Sequence, residues 1–416
     1  MHQTTPLVLA VLVLGYALVS EKVNRSFIAP ALIFLLLGMA LGPFGLHLLD
    51  AGAGTEGYTA LAQLALTVIL FNQAAKLNLD RIRLRGAVTL RLLIVGIPLT
   101  ILLGALTAIV LLPVLPWWEA VCLAAIVAPT EAALIEALLD DRRIPERVRH
   151  ALSVESGFYD GFALAILLTA LALASQQADR SDVNWTLFIF RTEILSLLAG
   201  SAVGLLGGLV VAWSRRRDWI SDVWSQLAQL ALAFVCFVVG EWIHASGFVA
   251  AFTGGLAFAF MALRNTGQEL STQVSDATAQ LLELMVFAMF GAFAVIDEWR
   301  RADWRIVVFA VVALFGVRIV SVLVSLVRTG IPMSERLFIG WFGPRGIGTL
   351  VLGLLVIERG EIRQQDLIGT VVVVTVTLSL VLHSLSTAPG IARLARYPQI
   401  RTEPASSARK RGETTR

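Results

Sequence analysis

Charge is what this chain has least of. Of its 416 residues only 15% are Asp, Glu, Lys or Arg, against roughly 25% in a soluble domain. Histidine is scarce at 5 and cysteine scarcer at 2. Cys122 and Cys236 each sit inside an apolar run, which argues against a disulfide framework, and two thiols cannot close a zinc site. There is no His-Glu-x-x-His for metalloprotease chemistry and no Gly-x-x-x-x-Gly-Lys-Ser/Thr loop for ATP hydrolysis. Ser246 has no evident base beside it, which leaves an intramembrane hydrolase without a triad. Met1 to Pro6 holds no Lys or Arg, so a cleaved signal peptide would lack its basic leader. The first apolar run is therefore expected to be a retained helix.

What the chain has instead is hydrophobic length. Apolar residues make up 57% of it, and they fall in runs of the kind that cross a bilayer, each needing roughly 20 residues as a helix. About thirteen such segments are expected, near 6–20, 27–43, 58–76, 87–113, 117–139, 147–173, 186–212, 223–243, 246–263, 277–296, 304–327, 335–357 and 366–388. The fourth is long enough to tilt. The runs do not alternate apolar and polar, which excludes β-barrel strands. The fold class is an all-α polytopic membrane protein.

The formal net charge is only +3, and the basic residues cluster beside apolar belts. Lipid headgroups are their expected partner, not nucleic acid. With the N-terminus outside, Lys22, Arg25, Lys76, Arg81, Arg83, Arg85, Arg142, Arg143, Arg147, Arg149 and Arg215 to Arg217 all fall on the inner side, as does the basic tail. Only Arg180, Arg300, Arg301, Arg305, Arg359 and Arg363 fall outside. This asymmetry supports an odd number of spans, the N-terminus out and the C-terminus cytoplasmic, in a plasma (inner) membrane. The polar, basic tail over 389–416 is expected to be partly disordered.

Two spans are broken in a related way. The fifth carries Ala128-Pro129-Thr130-Glu131. The twelfth carries Gly340-Trp341-Phe342-Gly343-Pro344-Arg345-Gly346. A proline removes a backbone donor and frees a carbonyl, and at membrane depth that is tolerated only against protein or a water-filled cavity. Two interrupted helices at corresponding places in two halves point to a transporter binding site. Their seven-span offset implies two inverted repeats, about 6–173 and 223–388, joined by a linker helix at about 186–212. The transmembrane domain is taken as 1–388.

The sixth span carries Glu155-Ser156-Gly157-Phe158-Tyr159-Asp160. Ser156 and Asp160 are four apart and share a face, while Glu155 lies about 140° round the helix from Asp160. Asp160, Ser156, the Thr130 hydroxyl and freed carbonyls near Ala128 could replace the water of a small hard cation. Desolvation disfavours the charged form of a buried acid, so a proton can compete for the same carboxylate. One site that holds either a cation or a proton, and reorients only when filled, gives antiport. Glu155 is expected to pair with Arg318 or Arg345. Glu131 and Arg345, one at each break, are expected to complement half-helix ends as framework charges.

Weaker candidates come with a plainer reading beside them. Glu283 and Glu241 could face a funnel or be interior and interfacial residues. Asn72 and Gln73 could line the path or bond between helices. Of Arg191 and Glu193, one is expected to snorkel, and His244 is expected at a boundary. Gly38, Gly42, Gly254 and Gly255 are expected to let helices approach closely.

At these residues the chain resembles the monovalent cation:proton antiporter-1 family, the bacterial and organellar sodium/proton exchangers. The family reads Pro-Thr-Asp where this chain has Pro129-Thr130-Glu131. It reads Gly-Glu-Ser-x-x-Asn-Asp-Gly where this chain has Val154-Glu155-Ser156-Gly157-Phe158-Tyr159-Asp160-Gly161. Its Gly-x-x-Gly-x-Arg-Gly is matched fully from Gly340 to Gly346, with softer matches at Leu41-Gly42-Pro43 and from Ser246 to Gly255. The resemblance implies a homodimer, a dimerisation domain, a core domain that moves like an elevator, and exchange of sodium, lithium or potassium for protons without an organic cofactor or enzymatic activity. It implies that Asp160 binds the ion, that Thr130 and Ser156 assist, and that Glu155 pairs with an arginine. Two residues depart from the pattern. Glu131 is longer than aspartate. Tyr159 stands where the family has asparagine, or a second aspartate in electrogenic relatives, so one-for-one exchange is the simpler expectation. A ring of that size would reshape or close the path, so the alternative is a non-transporting ion or pH sensor, or a carrier of another solute.

Overall fold

A helix is the one element that satisfies its own backbone in lipid, and the long apolar runs adopt it. The computed structural model describes residues 4–24, 28–49, 54–77, 87–131, 133–139, 141–177, 190–266, 271–359 and 362–396. Every regular element among them is helical. In chain order these are α1 (Thr4–Asn24), α2 (Pro30–Leu41), α3 (Gly54–Ala75), α4 (Val88–Leu111), α5 (Trp117–Val127), α6 (Glu146–Gln177), α7 (Ser196–Arg216), α8 (Asp222–Trp242) and α9 (Gly247–Thr266). They continue as α10 (Gln273–Phe293), α11 (Val295–Arg301), α12 (Trp304–Ser325), α13 (Met333–Trp341), α14 (Ile347–Arg359) and α15 (Gln365–Ala395). Among the described residues 10 helices are long and apolar enough to cross a membrane, with shorter apolar helices at Pro30–Leu41, Trp117–Val127 and Ile347–Ile357. Arg25, Arg81, Arg83, Arg85, Arg180 and the tail beyond 396 lie outside the described residues.

Three spans hold a π-helical segment that the sequence pattern does not announce, one of them Phe190–Leu195 at the entry to α7. Leu92–Gly96 winds this way in α4, and Val312–Val317 in α12. Such segments recur at functional sites, because the wider turn resets the faces of the helix beyond it. Arg318 follows directly on the last one and is buried.

Helix pairs close where side chains are smallest. A Cβ placed on Gly204 of α7 would sit 2.1 Å from the Gly254 carbonyl oxygen of α9. Gly38 and Gly42 of α2 meet the backbone of Ala288 and Ala292 in α10, and Gly255 meets that of Phe71 in α3. The outer faces of α1 and α7 stay apolar and exposed, with Leu18 at 80% and Leu206 at 64%.

The last helix differs from expectation. It runs through Pro389 to Ala395, past the 388 expected as its end. Ile391 and Leu394 are buried against Phe338 and Phe342 of the broken span. Gly390 makes room, since a Cβ there would lie 2.6 Å from the Phe342 ring. Burial of that apolar pair offsets the hydrogen bond that Pro389 cannot make. Composition, which turns basic here, concealed it.

Substituting Gly204→Val should push α7 from α9 and cost about 3 kcal/mol, the upper part of the range for overpacking a tight interior. Gly15→Val, where a Cβ meets nothing within 4 Å, should leave the melting temperature in detergent unchanged.

Candidate ion-binding site

The two interrupted spans meet at their breaks. In the first, α5 closes with Ala128 N–H donating to Ala124 O at 2.9 Å, and Pro129 through Glu131 leave the helix. In the second, Phe342 N–H donates to Phe338 O at 2.9 Å, and α14 starts only at Ile347. Glu131 N–H donates to the Pro344 carbonyl at 2.9 Å, so each break supplies what the other lacks. Gly343 N–H donates to Trp341 O at 3.1 Å, and the Gly343 carbonyl accepts from Arg345 Nη1 at 2.7 Å.

The sixth span passes this junction. Thr130 and Ser156 share a hydrogen bond of 3.1 Å between hydroxyls. Asp160, one turn beyond Ser156, is 3% exposed, and neither carboxylate oxygen has a hydrogen-bond partner among the described residues. Gly348, in the first turn of α14, lies against it, since a Cβ there would be 2.7 Å from Asp160 Oδ1. Gly346 gives the same room to Glu131, and Gly343 to Thr130 and Arg318. Ala128 and Pro129 are buried at the rim of the same junction. Glu131 is close enough to act on Asp160 electrostatically.

Glu155 points elsewhere, as the helical angle requires. Its partner is Arg318, of the two arginines expected. Nη1 donates to Oε1, and Nη2 donates to Oε2 at 2.8 Å, with both residues 1% exposed. Such a forked pair is the strong geometry for a buried charge. Tyr159 presents its ring to this pair, with Arg318 Cζ 6.0 Å from the ring centre, within cation–π range. The ring therefore packs under the ion pair, and the geometry lends no support to a path closed by Tyr159. Arg345 is fully buried and rests on the Gly343 carbonyl instead of a carboxylate.

Of the two readings of Asn72, lining the path or bonding between helices, the structure shows the bond between helices. Its amide donates to Asp276 Oδ1 at 2.6 Å, and Lys76, one turn on, forms an ion pair with the same carboxylate. Asp276 in the first turn of α10 draws both side chains of that α3 face to itself. It is Gln73 that reaches the junction, with Nε2 donating to Glu131 Oε1 at 3.4 Å. Glu241 accepts from Gly247 N–H at 2.8 Å and so caps α9, a framework role. Glu283 is buried in α10, and His244 sits in a turn with φ 56°. The side chain of Arg191 lies outside the described residues, and Glu193 is partly buried. Sequence reasoning missed Gly348. Its signal was the third glycine in Gly343-Pro344-Arg345-Gly346-Ile347-Gly348, one turn past the motif.

The family model described as "Sodium/hydrogen exchanger, transmembrane" matches residues 8–392. The chain belongs to the sodium/hydrogen exchanger family. It is 28% identical over 389 residues to the K(+)/H(+) antiporter NhaP of Alkalimonas amylolytica, covering 92% of this chain and 66% of that protein. It is 29% identical over 265 residues to a probable Na(+)/H(+) antiporter of Schizosaccharomyces pombe, covering 61% of this chain and 34% of that one. The chain thus spans about two thirds or less of the length of these relatives. In fold it is similar to the sodium proton antiporter MjNhaP1 from Methanocaldococcus jannaschii at pH 8, with a TM-score of 0.79 at 19% identity over 94% of this chain and 99% of that one. This member of the family therefore has the inverted-repeat antiporter fold with two discontinuous crossing helices, in an integral membrane protein.

Removing one partner of a buried ion pair strands the other charge. Arg318→Leu should cost about 3–5 kcal/mol of stability. The double variant Arg318→Leu with Glu155→Leu should recover most of it, read as melting temperature in detergent.

Proposed function

We propose that this exchanger trades a monovalent cation for a proton at Asp160, by alternating access. The observation that carries the reading is a buried carboxylate with no hydrogen-bond donor among the described residues, on the helix whose Ser156 hydroxyl meets that of Thr130 at the crossing of two broken helices. A bare buried anion is costly and calls for a counter-ion. A sodium, lithium or potassium ion held by Asp160, Thr130 and Ser156 would supply one, and a proton on Asp160 would serve as well. Carbonyls freed near Ala128 and Pro129 would complete the oxygen set. Both occupied states have the same net charge, so one cation should exchange for one proton. Glu131, Glu155, Arg318 and Arg345 are the framework charges, and Tyr159 seats Arg318.

The relatives named as antiporters of potassium and of sodium support the reaction class and leave either ion open as the cargo. No organic cofactor is needed, and the energy comes from ion gradients. The apolar outer faces of α1 and α7 suit lipid or a second copy of the chain, in keeping with a homodimer in the plasma membrane. We place the N-terminus outside and the C-terminus in the cytoplasm by the loop charges. We take the repeats as about 6–173 and 223–388 around the linker helix.

In proteoliposomes with a pH-reporting dye, adding sodium, lithium or potassium should move protons, and Asp160→Asn should abolish the response. A response that survives Asp160→Asn, or no response to any of the three ions, overturns the reading. Gly348→Ala, which places a methyl group 2.7 Å from Asp160 Oδ1, should raise the apparent KM for the cation by about tenfold, the scale of one methyl misfit in a site.

A further inference from the structure

Among the backbone pairs that a continuous helix would join across the second break, one is spanned by side chains. Arg345 N–H and the Trp341 carbonyl stand four residues apart, the spacing of an α-helical hydrogen bond. In this chain two side chains of α15 stand between them. Arg345 N–H donates to Ser379 Oγ at 2.7 Å. Ser379 Oγ is 3.2 Å from His383 Nδ1. His383 Nε2 is 2.9 Å from the Trp341 carbonyl oxygen. Ser379 and His383 are themselves four apart, on one face of α15, and are 0% and 2% exposed.

With the ring neutral, one arrangement of protons serves this chain of contacts. A carbonyl only accepts, so Nε2 must carry a hydrogen to bond Trp341. Nδ1 is then a bare acceptor and takes the Ser379 hydroxyl hydrogen, while the serine oxygen takes the Arg345 amide hydrogen. The Ser379 carbonyl also lies 2.9 Å from Nδ1. Donating to it from a neutral ring would put an unprotonated Nε2 against the Trp341 carbonyl, leaving that contact without a donor. Arg345 and Arg318 are the charged groups that act on the ring, both positive, and no carboxylate hydrogen-bonds it among the described residues. We take the ring as neutral with hydrogen on Nε2, the form that completes the bridge, at the expense of the Nδ1 contact with the Ser379 carbonyl.

Packing holds the ring in place. His383 stacks on Phe315 of the π-helical segment, 5.6 Å between centres at 27°. Phe315 stacks in turn on Trp341 at 4.3 Å, and Trp341 Nε1 donates to Ser386 Oγ at 3.0 Å.

We propose that His383 and Ser379 are positioning residues for ion exchange: they replace the missing Arg345-to-Trp341 hydrogen bond with a side-chain bridge and so fix the width of the break that forms one wall of the cation site. The bridge holds the segment from Gly343 to Gly348 at the distance where Gly343 clears Thr130, Gly346 clears Glu131 and Gly348 clears Asp160. Without it the two half-helices can shift, and the oxygen set around Asp160 loses its spacing. The proposal rests on the exchange reading for its transport arm but not for its spectroscopic arm.

The test compares His383→Phe, His383→Gln and Ser379→Ala with the parent in proteoliposomes, using whichever of sodium, lithium or potassium drives the parent. Phenylalanine keeps the ring without its donor and acceptor, and glutamine keeps a donor and an acceptor. The phenylalanine and alanine variants should raise the apparent KM for the cation by about tenfold, the effect expected when an ion-binding set is misplaced. His383→Gln should return it to within about threefold of the parent, and the double variant should be no worse than the poorer single one, as for groups acting as a unit. A parent-like KM in His383→Phe overturns the proposal, as does a glutamine variant as impaired as the phenylalanine one. Should His383→Phe not fold, histidine 15N spectra of the parent and Ser379→Ala decide. Hydrogen on Nε2, with an Nδ1 signal that moves when Ser379 is removed, supports the bridge, and hydrogen on Nδ1, on both nitrogens, or an Nδ1 signal indifferent to Ser379 refutes it.

Discussion

The structure depends on one constraint: backbone groups released inside a membrane must find partners in the protein. The breaks at Pro129 and Pro344 release such groups at matching depth, and the bond from Glu131 N–H to the Pro344 carbonyl joins them. Two faults that would each be costly alone become a joint. The joint seats Gly348 against Asp160, Gly346 against Glu131 and Gly343 against Thr130, whose hydroxyl meets that of Ser156. An ion site built this way needs no loop at the surface, because the irregular backbone that makes it is already buried.

Around the joint the charges divide by role. Glu155 and Arg318 are locked together by two hydrogen bonds and sealed from solvent. Such a pair resists change, since separating it would leave two uncompensated charges. Asp160 has no hydrogen-bond partner among the described residues, although Arg318 packs against Glu155 and Tyr159 of the same helix. On the exchange reading, the roughly 140° between Glu155 and Asp160 separates a charge that stays fixed from one that changes occupant. An arginine on Asp160 would quench it; a solvated Asp160 would have no need of a cation.

Much of this was legible because the motifs are local. Pro129-Thr130-Glu131 and the glycines around Pro344 mark the breaks, and helical angles separate Asp160 from Glu155. What stayed hidden was set by contacts across the fold. Sequence could not choose between Arg318 and Arg345, because the choice turns on a π-helical segment before Arg318 and on a carbonyl at Gly343 that captures Arg345. Asn72 looked like a site residue by position, but Asp276, distant in sequence, claims it. Gly348 carried no charge to draw notice. His383 and Ser379 looked like ordinary polar residues in an apolar helix, although their four-residue spacing was a usable sign. The final turns of α15 were masked by arginines and a proline, while Ile391 and Leu394, three apart, carried the helical period that settled the matter.

Tyr159 shows how such a site can change one residue and keep its logic. At this position on α6 a carboxylate would add a second negative charge beside Asp160, and an asparagine would add a neutral ligand. The tyrosine does neither. Its ring turns toward Arg318 and fills the space beneath the guanidinium. The gain is packing for the framework pair, and the loss is a ligand from the cation's oxygen set. With Glu155 held by Arg318, Asp160 is the buried acid of this helix whose carboxylate has no hydrogen-bond partner among the described residues. On the exchange reading, a site without a second carboxylate at position 159 makes one-for-one exchange the simpler expectation.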